Sequence, residues 1–156
     1  MVTLNEAAPN FSAQNEDGIT TSLSDFAGKT IVFYFYPKDD TPGCTKEACS
    51  FTENMSAFNK IDAVILGVSK DSVASHKKFK EKYNLNFSLL SDIDGKICAD
   101  YGTWIEKSMY GRKYMGIDRS TFIIDKNGII RAIWRNVKVT GHTEDIIKFG
   151  AEVAKS

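Results

Sequence analysis

The chain has 156 residues, 42% of them hydrophobic and 26% charged, which is the composition of a globular protein with one core burying about two-thirds of the unfolded surface. Twenty basic side chains balance twenty acidic ones, so neither nucleic acid nor an anionic membrane would be recognised through bulk charge. The longest apolar runs, Ile31 to Tyr36 and Ala63 to Val68, fall well short of the roughly 18 residues of a membrane span. No apolar stretch precedes Lys29, the first basic side chain. The expectation is therefore no secretory or transit segment and a cytoplasmic location. Three cysteines, an odd number, fit a reducing compartment better than a disulfide scaffold.

No repeat, low-complexity tract or linker interrupts the sequence, so residues 1–156 are expected to form a single domain. Phe11 to Gln14 and Ile19 to Leu23 flank Glu16-Asp17-Gly18, a hairpin signal. Residues 24–28 read as one turn closed by Gly28. Thr30 to Tyr36 is a continuous β-branched and aromatic run, the pattern of a buried strand stopped by Pro37. Thr41-Pro42 opens a helix, with Thr as N-cap and Pro at the first helical position. The spacing of Ala48, Phe51, Met55 and Phe58 carries that helix to about Asn59. A second buried strand (63–69), a helix (71–83), a short strand (87–90) and a short helix (96–101) follow. Thr121 to Asp125 and Ile129 to Arg135 flank Lys126-Asn127-Gly128, a second hairpin, and a helix over 143–154 ends the chain. Strand–helix–strand crossovers require parallel pairing and the late hairpin requires antiparallel pairing. The fold class is α/β, a mixed central sheet flanked by helices with an N-terminal β-hairpin, and a thioredoxin-like fold fits that layout.

The chemistry concentrates in Tyr34-Phe35-Tyr36-Pro37-Lys38-Asp39-Asp40-Thr41-Pro42-Gly43-Cys44-Thr45-Lys46-Glu47-Ala48-Cys49. With Thr41 as N-cap, Cys44 is the third helical residue, where unpaired N–H groups and the positive helix end favour a thiolate. Position alone is also compatible with a small buried residue. Thr41 alone reads as a cap, Pro37 as a strand terminator, and Glu47 equally as a solvated helix residue.

The wider pattern resembles the peroxiredoxins. Pro37-x-x-x-Thr41-x-x-Cys44 is similar to their active-site signature, and Ala8-Pro9-Asn10-Phe11, Tyr114-Met115-Gly116 and Arg119-Ser120-Thr121-Phe122 fall in family order, with Asn10 where Asp is commoner. The spacing Cys44-x-x-x-x-Cys49 is similar to the Q subgroup, also called bacterioferritin comigratory protein. The resemblance implies a thioredoxin-like fold and a thiol peroxidase acting on hydrogen peroxide and organic hydroperoxides. Cys44 would be the peroxidatic cysteine and Cys49 the resolving one, with a disulfide between them and thioredoxin as electron donor. Thr41 would hydrogen-bond the sulfur and the peroxide through its hydroxyl, Gly43 and Arg119 would bind the peroxide around Cys44, Arg119 would also stabilise the thiolate, Pro37 would shield the pocket, and Glu47 would orient Arg119. The subgroup further implies a monomer, with no cofactor, metal, nucleic acid or membrane partner.

Acidifying a thiol cannot by itself make an efficient peroxidase. Bringing a generic thiol from pKa about 8.5 to about 6 raises the thiolate fraction roughly thirtyfold at neutral pH. The accompanying loss of nucleophilicity, with a Brønsted slope of about 0.4–0.5, takes back roughly ten- to twentyfold. Most of the acceleration must come from donors aimed at the breaking O–O bond.

On a regular helix, residues five apart have Cα atoms about 8.7 Å apart, beyond the roughly 7 Å that a disulfide spans. A disulfide between Cys44 and Cys49 therefore requires the helix to open. Cys98 belongs to no motif and reads as a buried structural cysteine. A zinc site from Cys44, Cys49 and Cys98 with His76 or His142 matches none of the usual ligand spacings, and both histidines are expected at the surface. A redox sensor without turnover would share the reactive Cys44 and is the competing reading.

Overall fold

The computed structural model describes residues 2–155. In chain order the elements are β1 (Ser12–Gln14), β2 (Thr20–Ser22), one 3-10 turn (Leu23–Phe26), β3 (Thr30–Phe35), α1 (Pro42–Glu53), α2 (Met55–Lys60) and β4 (Ala63–Ser69). They continue with α3 (Val73–Tyr83), β5 (Ser88–Ser91), α4 (Lys96–Asp100), β6 (Trp104–Met109), β7 (Arg112–Ile117), β8 (Ser120–Ile124), β9 (Ile130–Trp134) and α5 (His142–Ala154).

Seven strands form one mixed sheet in the order β2-β1-β5-β4-β3-β8-β9. β3 lies inside it, parallel to β4 from Thr30↔Ala63 to Phe35↔Val68 and antiparallel to β8 from Ile31↔Ile124 to Phe35↔Ser120. Every residue of β3 is buried, so the strand reads as an unbroken apolar run instead of an alternating one. Its side chains still alternate between faces. Val32 and Tyr34 join Ala48, Phe51, Phe58, Phe79 and Ile146 from α1, α2, α3 and α5. Ile31, Phe33 and Phe35 join Ile97, Cys98, Tyr101 and Phe122 on the side of α4. Each such fully buried large side chain contributes about 1.5–3 kcal/mol, which makes β3 the rigid element from which the active segment emerges.

Both expected hairpins are present, as β1–β2 and β8–β9. Two readings of the sequence need correction. The helix expected over 41–59 is broken at Asn54 into α1 and α2. Asn54 Nδ2 donates to the Ser50 carbonyl at 2.8 Å, competing with the backbone ladder as Asn side chains do, and the bend lets Phe51 and Phe58 both reach the core with rings 6.0 Å apart. A third hairpin, β6–β7, lies outside the main sheet and was not foreseen. Its turn has both central residues left-handed, Tyr110 at φ 53° and Gly111 at φ 78°, the geometry that Asn-Gly or Asp-Gly normally advertises.

Candidate active site

Proline has no N–H to offer the ladder, and β3 ends before Pro37 although Tyr36 N–H still donates to the Val68 carbonyl at 3.1 Å. The segment that follows is held from below. Tyr36 Oη donates to Asp39 Oδ1 at 2.5 Å, Ser75 Oγ donates to Asp39 Oδ2 at 2.8 Å, and His76 Nδ1 lies 2.7 Å from the same oxygen. Asp40, left-handed at φ 56°, accepts from Lys82 Nζ and Tyr83 Oη. The strand-to-helix loop is thereby tied to both ends of α3.

Thr41 occupies the N-cap position in extended backbone, φ −103° and ψ 156°, and its carbonyl accepts from Thr45 N–H at 2.8 Å. Its side chain does not cap the helix: the hydroxyl donates instead to the Lys38 carbonyl at 2.8 Å. The first-turn N–H groups of α1, which have no intrahelical acceptor, are therefore not occupied by Thr41. This corrects two expectations, that the Thr41 side chain caps the helix and that its hydroxyl bonds the Cys44 sulfur. Pro42 and Gly43 then bring Cys44 to the third helical position, 2% exposed.

Antiparallel pairing of Phe35 with Ser120 sets Arg119 level with Tyr36, at the end of β3 where α1 begins. Arg119 Nη2 donates to Cys44 Sγ at 3.3 Å and Nη1 donates to Glu47 Oε1 at 2.7 Å. Gly43 makes room for this: a Cβ there would sit 3.2 Å from Nη2. Glu47 is 1% exposed, so it is not a solvated helix glutamate. Burial lifts its carboxyl to about 7 against the opposing pull of Arg119. Burial works against the charge on Arg119, yet Glu47 and Cys44 hold that charge more firmly than usual. Glu47 Oε2 and the Tyr34 hydroxyl are both buried without a hydrogen-bond partner among the described residues. Burial, then the charges of Glu47 and Cys44, push the Tyr34 phenol well above its usual range. Lys107 of β6 also feels Cys44, with burial depressing its ammonium. Neither Tyr34 nor Lys107 was singled out from the sequence, although Tyr34 is the first residue of the active-site segment.

Cys49 is half-buried and free, with burial and then Glu53 raising its thiol. α1 is helical from Pro42 to Glu53, through both cysteines. Cys98 is 0% exposed, as expected of a structural cysteine, and burial together with Asp92 pushes its thiol up to about 12. Pro37 and the Tyr114-Met115 pair are exposed.

Both histidines correct the sequence reading, being buried at 0% and 5% exposure. His76 bridges Asp39 and the Leu90 carbonyl, 2.9 Å from Nε2. His142 Nε2 meets Thr121 Oγ1 at 2.8 Å, and burial depresses the ring to about 4, so it is neutral at pH 7. Among the described residues Asp39, Asp71 and His76 cluster closely enough to hold a metal ion, but the Asp39 carboxylate is engaged by Ser75 and the Asp71 carboxylate by Ser69 and the Asp39 N–H, and the cluster contains no cysteine.

Residues 4–133 match the AhpC/TSA family model. Peroxiredoxin Bcp of Bacillus subtilis is 48% identical over 147 residues, which cover 94% of each chain. The structure superimposes on the Xanthomonas campestris bacterioferritin comigratory protein, studied for its alkyl peroxide reduction activity, with a TM-score of 0.88 and 41% identity over 92% of each chain. A cysteine-to-serine mutant of Xanthomonas campestris peroxiredoxin Q gives a TM-score of 0.90 and 38% identity, covering 96% of this chain and 99% of that one. The family match, the identities and the superpositions agree with what the site presents, a buried cysteine at a helix start beneath an arginine, and the chain belongs to the AhpC/TSA family as a thiol-dependent peroxidase of the peroxiredoxin Bcp/Q group.

Proposed function

We propose that Cys44 is the peroxidatic cysteine, Cys49 the resolving one, and Arg119 the main stabiliser of the charge that moves between them and the peroxide. The observation that carries this reading is the guanidinium spanning Cys44 Sγ at 3.3 Å and the buried Glu47 carboxylate at 2.7 Å. A guanidinium pinned by one carboxylate keeps fixed donors for a second anionic partner.

In the first step the Cys44 thiolate attacks the terminal peroxide oxygen. An S–O bond forms and the O–O bond breaks, sulfur is oxidised to sulfenic acid, and the leaving alkoxide or hydroxide takes up a proton to become alcohol or water. Arg119 and the N–H groups of Gly43 and Cys44 stabilise the charge developing on the departing oxygen, while the Thr41 hydroxyl orients the incoming peroxide. Thr41 suits this because its hydroxyl proton is committed to Lys38, leaving oxygen lone pairs to accept from the peroxide O–H. Pro37 limits water at the mouth, and Glu47 fixes the guanidinium.

In the second step Cys49 attacks the Cys44 sulfur. The S–S bond forms, the S–O bond breaks, and hydroxide leaves as water with the Cys49 proton. Because α1 is regular through both positions, the step needs local opening of the helix. A dithiol protein, thioredoxin by resemblance, then reduces the disulfide by exchange. The folded unit works as a cytoplasmic monomer, with hydrogen peroxide and organic hydroperoxides as substrates.

The test is peroxide-dependent NADPH oxidation with thioredoxin and its reductase. Wild type should turn over, Cys44→Ser should fall to background, and Cys49→Ser should lose most turnover. Full turnover in Cys49→Ser would transfer resolution to another thiol. Sulfenic acid at Cys44 without turnover in wild type would favour the sensor reading.

A further inference from the structure

Opening α1 must break whatever holds it to the rest of the fold. Its inner face is held by Ala48 and Phe51, each 0% exposed. Its flank toward α5 is held by polar contacts of a different kind. Ser50 Oγ lies 2.6 Å from Thr143 Oγ1, and Lys46 Nζ donates to Thr140 Oγ1 at 3.0 Å. Lys46 and Ser50 are one helical turn apart and so share a flank, while Thr140 and Thr143 bracket Gly141, the N-cap of α5. Cys49 falls between Lys46 and Ser50 in sequence.

The contacts at the two ends of this segment respond differently to oxidation. The Arg119–Cys44 contact weakens when the thiolate becomes a neutral sulfenic acid, because a charge-assisted bond loses its charge. The contacts to α5 involve no redox-active atom and persist. Thr143 is 2% exposed, so its hydroxyl is satisfied in the closed helix by Ser50 and in the opened one by water.

We propose that the Ser50–Thr143 hydroxyl pair, backed by Lys46–Thr140, is the latch that sets how often α1 opens. The inference rests on Cys49 as the resolving cysteine, and it deepens that reading by naming residues that time the step. The latch sets the competition for the sulfenic acid. Either Cys49 attacks it to give the disulfide and water, or a second peroxide oxidises it to sulfinic acid and is itself reduced to alcohol or water.

Removing the Ser50 hydroxyl leaves the buried Thr143 hydroxyl unpaired only in the closed state, and removing the Thr143 hydroxyl does the same to the half-buried Ser50, and both favour opening. Amide hydrogen exchange of α1 in the reduced protein should therefore be about fivefold faster in Ser50→Ala and in Thr143→Val than in wild type. Thr143→Ser, which keeps the hydroxyl, should restore the wild-type rate. The double variant should fall short of the product of the two single effects, since neither hydroxyl is then left unpaired. After peroxide, both single variants should form the Cys44–Cys49 disulfide faster and accumulate less sulfinic acid, with the rate of the first peroxide step unchanged. Exchange in α1 equal to wild type in both single variants would overturn the proposal. Faster exchange without any Cys44–Cys49 disulfide, in wild type or variants, would leave the latch standing as a hold on the helix and remove Cys49 as the resolving residue.

Discussion

Cys44 and Cys98 hold the same place in two helices. Each is the third residue, of α1 and of α4, and each is buried, at 2% and 0% exposure. The difference lies in what occupies the helix start. At α4 the Asp92 carboxylate accepts from the N–H groups of Ile97 and Cys98 at 3.0 and 2.8 Å. The positive end is thereby filled by a fixed anion, and burial together with that anion drives the neighbouring thiol up to about 12. At α1 the cap hydroxyl turns away to Lys38 and a guanidinium stands over the sulfur. A helix N-terminus favours a thiolate only where no other anion has taken it. Helix position and burial therefore do not separate the two cysteines, whereas the fixed charges beside them have opposite sign.

Removing the guanidinium gives the largest expected change to that contrast. Arg119→Met should lower kcat/KM for peroxide by about 10²- to 10³-fold, the usual cost of losing one donor to a developing oxyanion. The loss should persist after rates are divided by the thiolate fraction, measured by ultraviolet absorbance of the thiolate. A loss that disappears on that correction would mean that Arg119 merely ionises Cys44.

Glu47 tests the other end of the arginine. Its carboxyl ionises near 4.5 when unfolded and near 7 in the fold. The folded state thus holds a proton that the unfolded state has released, and stability falls as pH rises between those values. Wild type should lose up to about 3 kcal/mol relative to Glu47→Gln across that window, at roughly 1.4 kcal/mol per pH unit. His142 slopes the other way, because its ring is held down to about 4 and stability from that group is lost as pH falls below its ordinary value. Urea midpoints at pH 5 and pH 8 should therefore show a more positive pH slope in Glu47→Gln than in wild type. Parallel slopes would show that Arg119 keeps Glu47 ionised throughout.

The parts of this arrangement that follow from local pattern were legible before the fold was known. Thr41-Pro42 marked the start of α1 to the residue, and the apolar run over 30–36 marked the central strand. Other features depend on tertiary context. Glu47 reads from the sequence equally as a solvated residue, because a buried carboxylate there makes sense only once Arg119 arrives from the start of β8, 72 positions away. His76 sits three residues before Phe79 on the buried side of α3, and its partners come from a separate loop and strand. The β6–β7 turn escaped notice because Tyr110 occupies a left-handed position that the turn code reserves for Asn, Asp or Gly. The direction of the Thr41 hydroxyl has no counterpart in the sequence, since a threonine can cap or bond backward with equal ease.

The smallest expected effect comes from Asp92, and it separates the two causes that silence Cys98. Burial comes first among them and the carboxylate second. Asp92→Asn keeps the shape and one acceptor but turns an amide N–H₂ toward a helix end that presents N–H groups. That should cost about 1–2 kcal/mol of stability, the scale of a lost cap, read from the urea midpoint. Native-state alkylation of Cys98 at pH 9 should stay near its wild-type rate, because a side chain at 0% exposure meets the reagent only when the structure opens. Peroxidase turnover should not change, since Asp92 lies at the start of α4 and not α1. If Cys98 instead became readily alkylated in the folded variant, charge and not burial would be what distinguishes the two cysteines, and placing a carboxylate beside Cys44 should then suffice to silence it.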